Sequence, residues 1–234
     1  MTERKPQLLL VPGLLCTPAL FAPQLAALGA HADILIADHS RAGDLPTIAR
    51  QILARAPDRF ALAGLSMGGY VAFEILRQAP DRVSRLALLD SNARADRPDQ
   101  VKQRHLLIGM GRALGVRAVQ AALLKFLIHP RRLDDRALVD TILGMADRTG
   151  QPTFERQQAA IMGRPDNRPF LASIRCPTLI VVGNEDALTP VKVAEEMHAG
   201  IAGSRLEVIP DCGHLTTLER PEAVNRLLAQ WLAA

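Results

Sequence analysis

The sequence predicts an α/β fold: a parallel sheet of about six strands with helices on both faces, interrupted once by a helical insertion. Three observations carry this prediction. Short runs rich in branched apolar residues recur along the 234 residues, segments with helical spacing separate them, and one long stretch has helical spacing but no convincing strand. Strands that are apolar on both faces and alternate with helices form buried parallel sheets, because crossover helices cover each side.

Residues 7–11, 33–37, 60–63, 85–89, 178–182 and 206–209 each form such a run and each ends in turn chemistry, so each reads as a strand. Helical spacing occupies 19–28, 45–56, 67–78, 191–199 and 222–232. The alternation stops between Asp96 and Phe170. There, helical stretches at 100–113, 116–127, 134–146 and 153–162 follow one another, with breaker residues Pro98, Pro165 and Pro169 at the edges. The chain therefore divides into a core, residues 1–96 and 171–234, and a helical cap insertion, residues 97–170. Gly109, Gly111 and Gly115 lie in that insertion. They follow no strand and lack dinucleotide-loop spacing, so packing or helix ends account for them.

Composition narrows the class. With 48% hydrophobic and 22% charged residues, the chain has the balance of a soluble globular protein, and its length suits one core. Cys16, Cys176 and Cys212 form no CxxC pair, and an odd count argues against a disulfide framework. The apolar start is broken by Pro12 and Gly13, so it reads as a strand entering a turn rather than a leader. No apolar run approaches the ~18–20 residues that cross a bilayer. A cytoplasmic protein without membrane attachment is the expectation. The net charge of +4 is modest and the cations are scattered, which does not favour a nucleic-acid surface. Their distribution is uneven: residues 97–168 hold 13 Lys and Arg against 7 Asp and Glu, a net of +6, and the remainder nets −2.

The chemistry concentrates at strand ends. The strand at 60–63 runs into Gly64-Leu65-Ser66-Met67-Gly68-Gly69 and then a helix, which is a GxSxG nucleophile elbow in its strand-turn-helix context. The glycines allow the tight turn that lifts the Ser66 hydroxyl to a helix N-terminus. There the helix dipole and the Met67 amide can stabilise an oxyanion. A serine hydroxyl needs a base within hydrogen-bond reach. His214 follows the last strand, at the end of the sheet where ligands gather in parallel folds. His39 also follows a strand but reads as a solvated loop residue, and His31, His105, His129 and His198 read as surface or packing residues. After the strand at 178–182, Gly183-Asn184-Glu185-Asp186 offers Asp186 to orient the histidine, with Glu185 beside it; Asp90 and Asp211 are weaker candidates. Thr189 is available to cap the following helix. The chain order Ser, Asp, His is the order of α/β-hydrolases.

With Gly64-Leu65-Ser66-Met67-Gly68-Gly69, Gly183-Asn184-Glu185-Asp186 and Gly213-His214 in that order, the whole chain resembles the α/β-hydrolase superfamily. It is most similar to its small capped esterases, lactonases and cofactor-free haloperoxidase-like enzymes, the pimeloyl-carrier-protein methyl ester esterases among them. The resemblance implies that the turn Pro12-Gly13-Leu14 supplies a second oxyanion amide, Leu14 N–H, with proline where relatives commonly have histidine. It also implies a cap over the site. The extra strand hairpin usual in relatives has no counterpart here, so the sheet should be wholly parallel, with the 33–37 strand at an edge. Ser66 is unlike the aspartate nucleophile of the dehalogenases and epoxide hydrolases that share this fold.

The function expected is a serine hydrolase that cleaves a carboxylic ester of a small or medium acyl group through an acyl-enzyme. The alternatives are an enol-lactone-type lactonase, a haloperoxidase- or perhydrolase-like enzyme, a lyase that reuses the same groups, and a non-catalytic ligand receptor. No metal and no organic cofactor are expected. The partners expected are a small-molecule ester or lactone, neither nucleic acid nor membrane, and, on the basic insertion, an acidic carrier protein. An aromatic content of 3% points to an aliphatic acyl pocket.

Overall fold

The computed structural model describes residues 5–233. Six strands form one sheet: β1 (Gln7–Val11), β2 (Asp33–Ile36), β3 (Phe60–Leu65), β4 (Val83–Leu89), β5 (Thr178–Gly183) and β6 (Arg205–Ile209). Their order is β2-β1-β3-β4-β5-β6 and all five pairings are parallel. The expected edge position of β2 holds. β3 and β5 are buried along their whole length, as their unbroken apolar sequence requires, whereas β2 alternates and leaves Leu35 39% exposed.

The helices are α1 (Ala22–Leu28), α2 (Leu45–Leu53), α3 (Met67–Gln78), α4 (Pro98–Leu114), α5 (Val116–Leu127), α6 (Arg136–Thr149), α7 (Gln151–Met162), α8 (Val191–Gly200), α9 (Thr216–Glu219) and α10 (Pro221–Ala233). The segment expected to be one helix over 19–28 is split. A 3₁₀ turn at Pro18–Phe21 precedes α1, since Pro23 within α1 lacks the N–H that would continue the ladder backwards.

Alternate side chains of each strand feed two cores. Leu9, Val11 and Leu62 pack with Ile48 of α2, Val71 and Phe73 of α3 and Met197 of α8. Leu8, Leu10, Ala63 and Val181 pack with Phe21, Leu28 of α1, and Val224, Leu228 and Trp231 of α10. Period-two alternation in the strands thus decides which helix each residue meets. Between β4 and β5 lie α4 to α7 and no strand. They share a small core of Ile108, Val116, Val119, Ala146 and Phe154, into which Leu15 from the loop after β1 inserts. Gly115 (φ +84°) makes the junction of α4 and α5 and Gly111 packs against Gln151, as expected, whereas Gly109 lies exposed inside α4 with nothing against it, so neither packing nor a helix end accounts for it.

Candidate active site

All the strands run in one direction, so their C-terminal ends and the loops beyond them lie together. Among the described residues, four non-glycine residues have positive φ, and each follows a strand: Leu15 after β1 (φ 56°), Ser66 after β3 (55°), Asp90 after β4 (46°) and Asp211 after β6 (48°). Such a conformation costs about 1–3 kcal/mol per residue, and this clustering is typical of a functional edge. At Ser66 the surroundings fix it. Its N–H donates to Leu89 O (2.9 Å), and its carbonyl accepts from Gly69 N–H (2.9 Å) and from the Ser91 hydroxyl (2.9 Å). The elbow needs its glycines. A Cβ on Gly64 would overlap the Gly68 carbonyl, and one on Gly68 would overlap the Val11 carbonyl.

The elbow delivers Ser66 Oγ to 2.9 Å from His214 Nε2. On the other side of the ring, His214 Nδ1–H donates to Asp186 Oδ2 at 2.8 Å. The three sequence-predicted side chains are therefore one hydrogen-bonded series contributed by the ends of β3, β5 and β6. Asp186 is held from behind: Oδ1 accepts the Leu188 and Thr189 amides (2.8 Å each) and Oδ2 accepts the Thr189 hydroxyl (2.6 Å). Thr189 is thus not the cap expected from the sequence. Pro190 occupies the N-cap of α8 and has no capping side chain, because the Thr189 hydroxyl is engaged by Asp186.

The electrostatics follow from this geometry. Burial would lower the His214 pKa, but the charge and hydrogen bond of Asp186, with the more distant Asp90 and Glu219, outweigh it and hold the imidazole above its ordinary value of 6.5. Burial would raise Asp186, and the imidazole and the Thr189 donors outweigh that and hold it below the ordinary carboxylate range.

The other acids have different places. Asp90 is fully buried and does not reach the imidazole. Its Oδ1 accepts Gly183 N–H (3.1 Å), and its Oδ2 accepts the N–H and hydroxyl of Thr216 (3.2 and 2.6 Å), tying β5 to α9. Burial first, and the neighbouring Asp186 charge second, push its carboxyl well above the usual range. Glu185 turns away and accepts Cys212 N–H (2.9 Å). Asp211 is a surface partner of Arg220 and Arg131. A buried acid that the sequence reading passed over, Glu219 on α9, accepts His129 N–H (2.7 Å) and Gly213 N–H (2.9 Å) and so pins the loop that carries His214.

The turn after β1 meets the elbow, with Gly13 against Leu65 and Ser66. Neither Leu14 N–H nor Met67 N–H has a hydrogen-bond partner among the described residues. The expectation for His39 is corrected here. It is buried, not solvated: Nε2–H donates to Pro12 O (2.9 Å), and Nδ1 accepts from Gln157 Nε2 (3.2 Å). Gln157 Oε1 in turn accepts Leu15 N–H (3.1 Å), so α7 and the loop after β2 clamp the turn that carries Leu14. Burial holds His39 below its ordinary pKa and hence neutral, as a ring that both donates and accepts must be. The sequence offers no period or motif that pairs residues 39 and 157.

A cavity of about 430 Å³ opens over Ser66 and His214. Its lining is largely aliphatic, from Leu14, Leu107, Leu123, Leu127, Ile161 and Leu188, with Tyr70 and Phe126 as the aromatics. Among the described residues, no group of three or more His, Cys, Asp or Glu side chains is placed to hold a metal. No helix among them is long and apolar enough to cross a membrane.

Comparison with known proteins agrees with this arrangement. A pimeloyl-[acyl-carrier protein] methyl ester esterase from Neisseria meningitidis is 28% identical over 214 residues, covering 90% of this chain and 82% of the relative. The esterase of the same description from Nitrosomonas europaea is 33% identical over 179 residues, covering 73% and 70%. A thermophilic esterase from Thermogutta terrifontis, solved with malate bound, superposes with a TM-score of 0.89 at 26% identity, covering 99% of this chain and 91% of that one. The model of the alpha/beta hydrolase family matches residues 8–227, nearly the full length, and the six-stranded parallel sheet with its strand-end site is the architecture of such an enzyme: the chain belongs to the alpha/beta hydrolase family.

Proposed function

We propose that the chain is a serine hydrolase that cleaves a carboxylic ester of a small or medium acyl group, with Ser66 as nucleophile, His214 as general base and Asp186 as its orienting acid. One observation carries this reading: the unbroken series from Ser66 Oγ through His214 to Asp186 Oδ2, at 2.9 and 2.8 Å, on the floor of the aliphatic cavity. His214 takes the hydroxyl proton as Ser66 Oγ bonds to the ester carbonyl carbon. Leu14 and Met67 N–H hold the resulting oxyanion, consistent with their lack of partners in the resting protein. The imidazolium returns the proton to the alkoxy oxygen, which leaves as the alcohol. Water, deprotonated by the same imidazole, then attacks the acyl-enzyme and restores Ser66 with release of the acid.

In this reading residues 97–170 act as a cap, since α4, α5 and α7 supply much of the lining of the cavity that contains Ser66. A reducing, cytoplasmic setting suits three cysteines that are all unpaired.

The test is a stopped-flow burst with a 4-nitrophenyl ester, joined to labelling by a fluorophosphonate and peptide mapping of the adduct. The expected result is a stoichiometric burst, an adduct on Ser66, and loss of turnover by at least about 10³-fold in Ser66→Ala and in His214→Ala, with the double variant little worse than either. Turnover retained by Ser66→Ala would sink the mechanism, and tight ester binding with no burst would make the protein a receptor.

A further inference from the structure

The cavity over Ser66 has a charged wall that acyl transfer does not use. Arg104 on α4 and Arg164, just beyond α7, both line it, and no Asp or Glu does. Behind them lies the side chain of Asp96, 0% exposed, which binds Arg104 Nε at 2.5 Å and Arg164 Nη2 at 2.8 Å. Burial would raise that carboxyl, but the two guanidinium groups outweigh it and keep it ionised. Two cations against one anion leave a positive charge at the wall.

The two arginines are held differently. Arg164, with its side chain 3% exposed, is a strut: it donates to the carbonyls of Arg94 (2.8 Å) and Ile161 (3.0 Å), and its guanidinium lies 4.3 Å from the Tyr70 ring centroid. Arg104 is 19% exposed. It uses Nε and one Nη2–H on Asp96 and one Nη1–H on Gln158 Oε1 (3.0 Å), which leaves two of its five N–H bonds without a partner among the described residues. Gln158, which holds Arg104 from behind and does not line the cavity, has a buried Nε2 without a partner among the described residues. Gln103 and Gln120 line the same cavity. The wall therefore holds spare donors and excess positive charge, a combination that an anion with acceptor oxygens completes. The aliphatic lining from Leu107, Leu123 and Ile161 suits a methylene chain.

We propose that Arg104, with the amides of Gln103 and Gln120, forms a subsite for a terminal carboxylate on the acyl chain, so that the substrate is a half-ester of an aliphatic dicarboxylic acid. This rests on the esterase reading above, and the test separates the two. Wild-type protein is assayed with monomethyl esters of the succinic to suberic acids and with their neutral isosteres, in which a primary amide replaces the free carboxyl group. Binding of the same pairs to Ser66→Ala is measured by calorimetry. At the length that fits, kcat/KM and affinity should each favour the carboxylate by about tenfold or more, the worth of one charged hydrogen-bonded contact. The preference should survive 0.5 M salt, because a contact inside a cavity is poorly screened. Arg104→Met should collapse the ratio of half-ester to amide towards one, and Arg104→Lys should keep part of it, with melting temperatures confirming that both variants fold.

Hydrolysis of both members of each pair at equal kcat/KM, with equal affinities in Ser66→Ala, overturns the subsite and leaves the esterase standing. A carboxylate preference in binding with no turnover by wild type upholds the subsite and overturns the esterase. A preference that Arg104→Met retains in full, in a folded variant, assigns the recognition elsewhere and overturns the proposal.

Discussion

The imidazole of His214 connects local environment to function at the scale of single residues. In the proposed mechanism the base must be neutral to accept the Ser66 proton, and Asp186 holds this imidazole above 6.5. Activity should therefore rise with pH along an acidic limb centred above 6.5 and fade below it. Asp186→Asn removes the partner charge and lets the ring adopt the wrong tautomer, so kcat should fall on the order of 10²–10⁴-fold and the remaining limb should move to lower pH. Asp90→Asn should cost at least about tenfold less, because Asp90 binds Gly183 and Thr216 and reaches the ring only through its field. A pH–rate series on the three proteins measures all of this. A greater loss in Asp90→Asn than in Asp186→Asn would transfer the orienting role to β4.

The clamp on the turn after β1 belongs to the scale of elements. That turn has a proline where the resemblance leads one to expect a histidine, and its support comes from two other elements: His39 beyond β2 and Gln157 on α7. Both are buried, so removing one partner leaves the others unsatisfied. Gln157→Leu strands the Leu15 N–H and His39 Nδ1, and should cost about 1–3 kcal/mol of stability in urea unfolding. If Leu14 N–H holds the oxyanion, the same variant should lower kcat more than it changes KM, since the misplaced amide matters most in the transition state. A KM effect alone would leave Gln157 as a packing residue. In the proposed mechanism the arrangement would also tie α7 to catalysis, because Gln157 on that helix holds the turn that carries Leu14.

For the whole molecule, the uneven charge is the feature with consequences. Residues 97–168 net +6, but the fold pairs most of their arginines: Arg97 with Asp99, Arg112 with Glu155, Arg117 with Asp147, Arg132 with Asp135, and Arg104 and Arg164 with Asp96. Four of those acids are already counted in the +6, so pairing leaves the segment's net charge nearly unchanged; the chain as a whole carries only +4, so long-range steering should be weak. Between 0.05 and 0.5 M salt, kcat/KM for a small anionic ester should change by no more than about twofold. The expectation of an acidic carrier protein as partner requires the opposite for a carrier-borne ester, a steep fall with salt as surface charges are screened. Stopped-flow rates for the two substrates at matched ionic strengths distinguish these outcomes.

The sequence by itself determined the architecture and singled out Ser66, Asp186 and His214, the side chains that meet at the strand ends. All six strands, their parallel packing and the order Ser66, Asp186, His214 were legible, because apolar periodicity and elbow chemistry are local and short-range, and the edge position of β2 followed from the family resemblance. The split before α1, the true partner of Thr189, the burial of His39 and the anchoring by Glu219 were not. The first two are local, set by Pro23 inside α1 and by Asp186 three residues before Thr189, whereas the burial of His39 and the anchoring by Glu219 depend on groups far apart in the chain: 39 with 157, and 129 with 219. The wall of Arg104, Asp96 and Arg164 was illegible for the same reason. In sequence its two arginines were part of a basic segment that begins after Asp96, and only the packing of α4 and the chain beyond α7 against the loop after β4 turned three charges into a built surface with unsatisfied donors. A local pattern fixes backbone conformation, but a buried polar contact is selected by what lies opposite, and that is decided only by the tertiary fold.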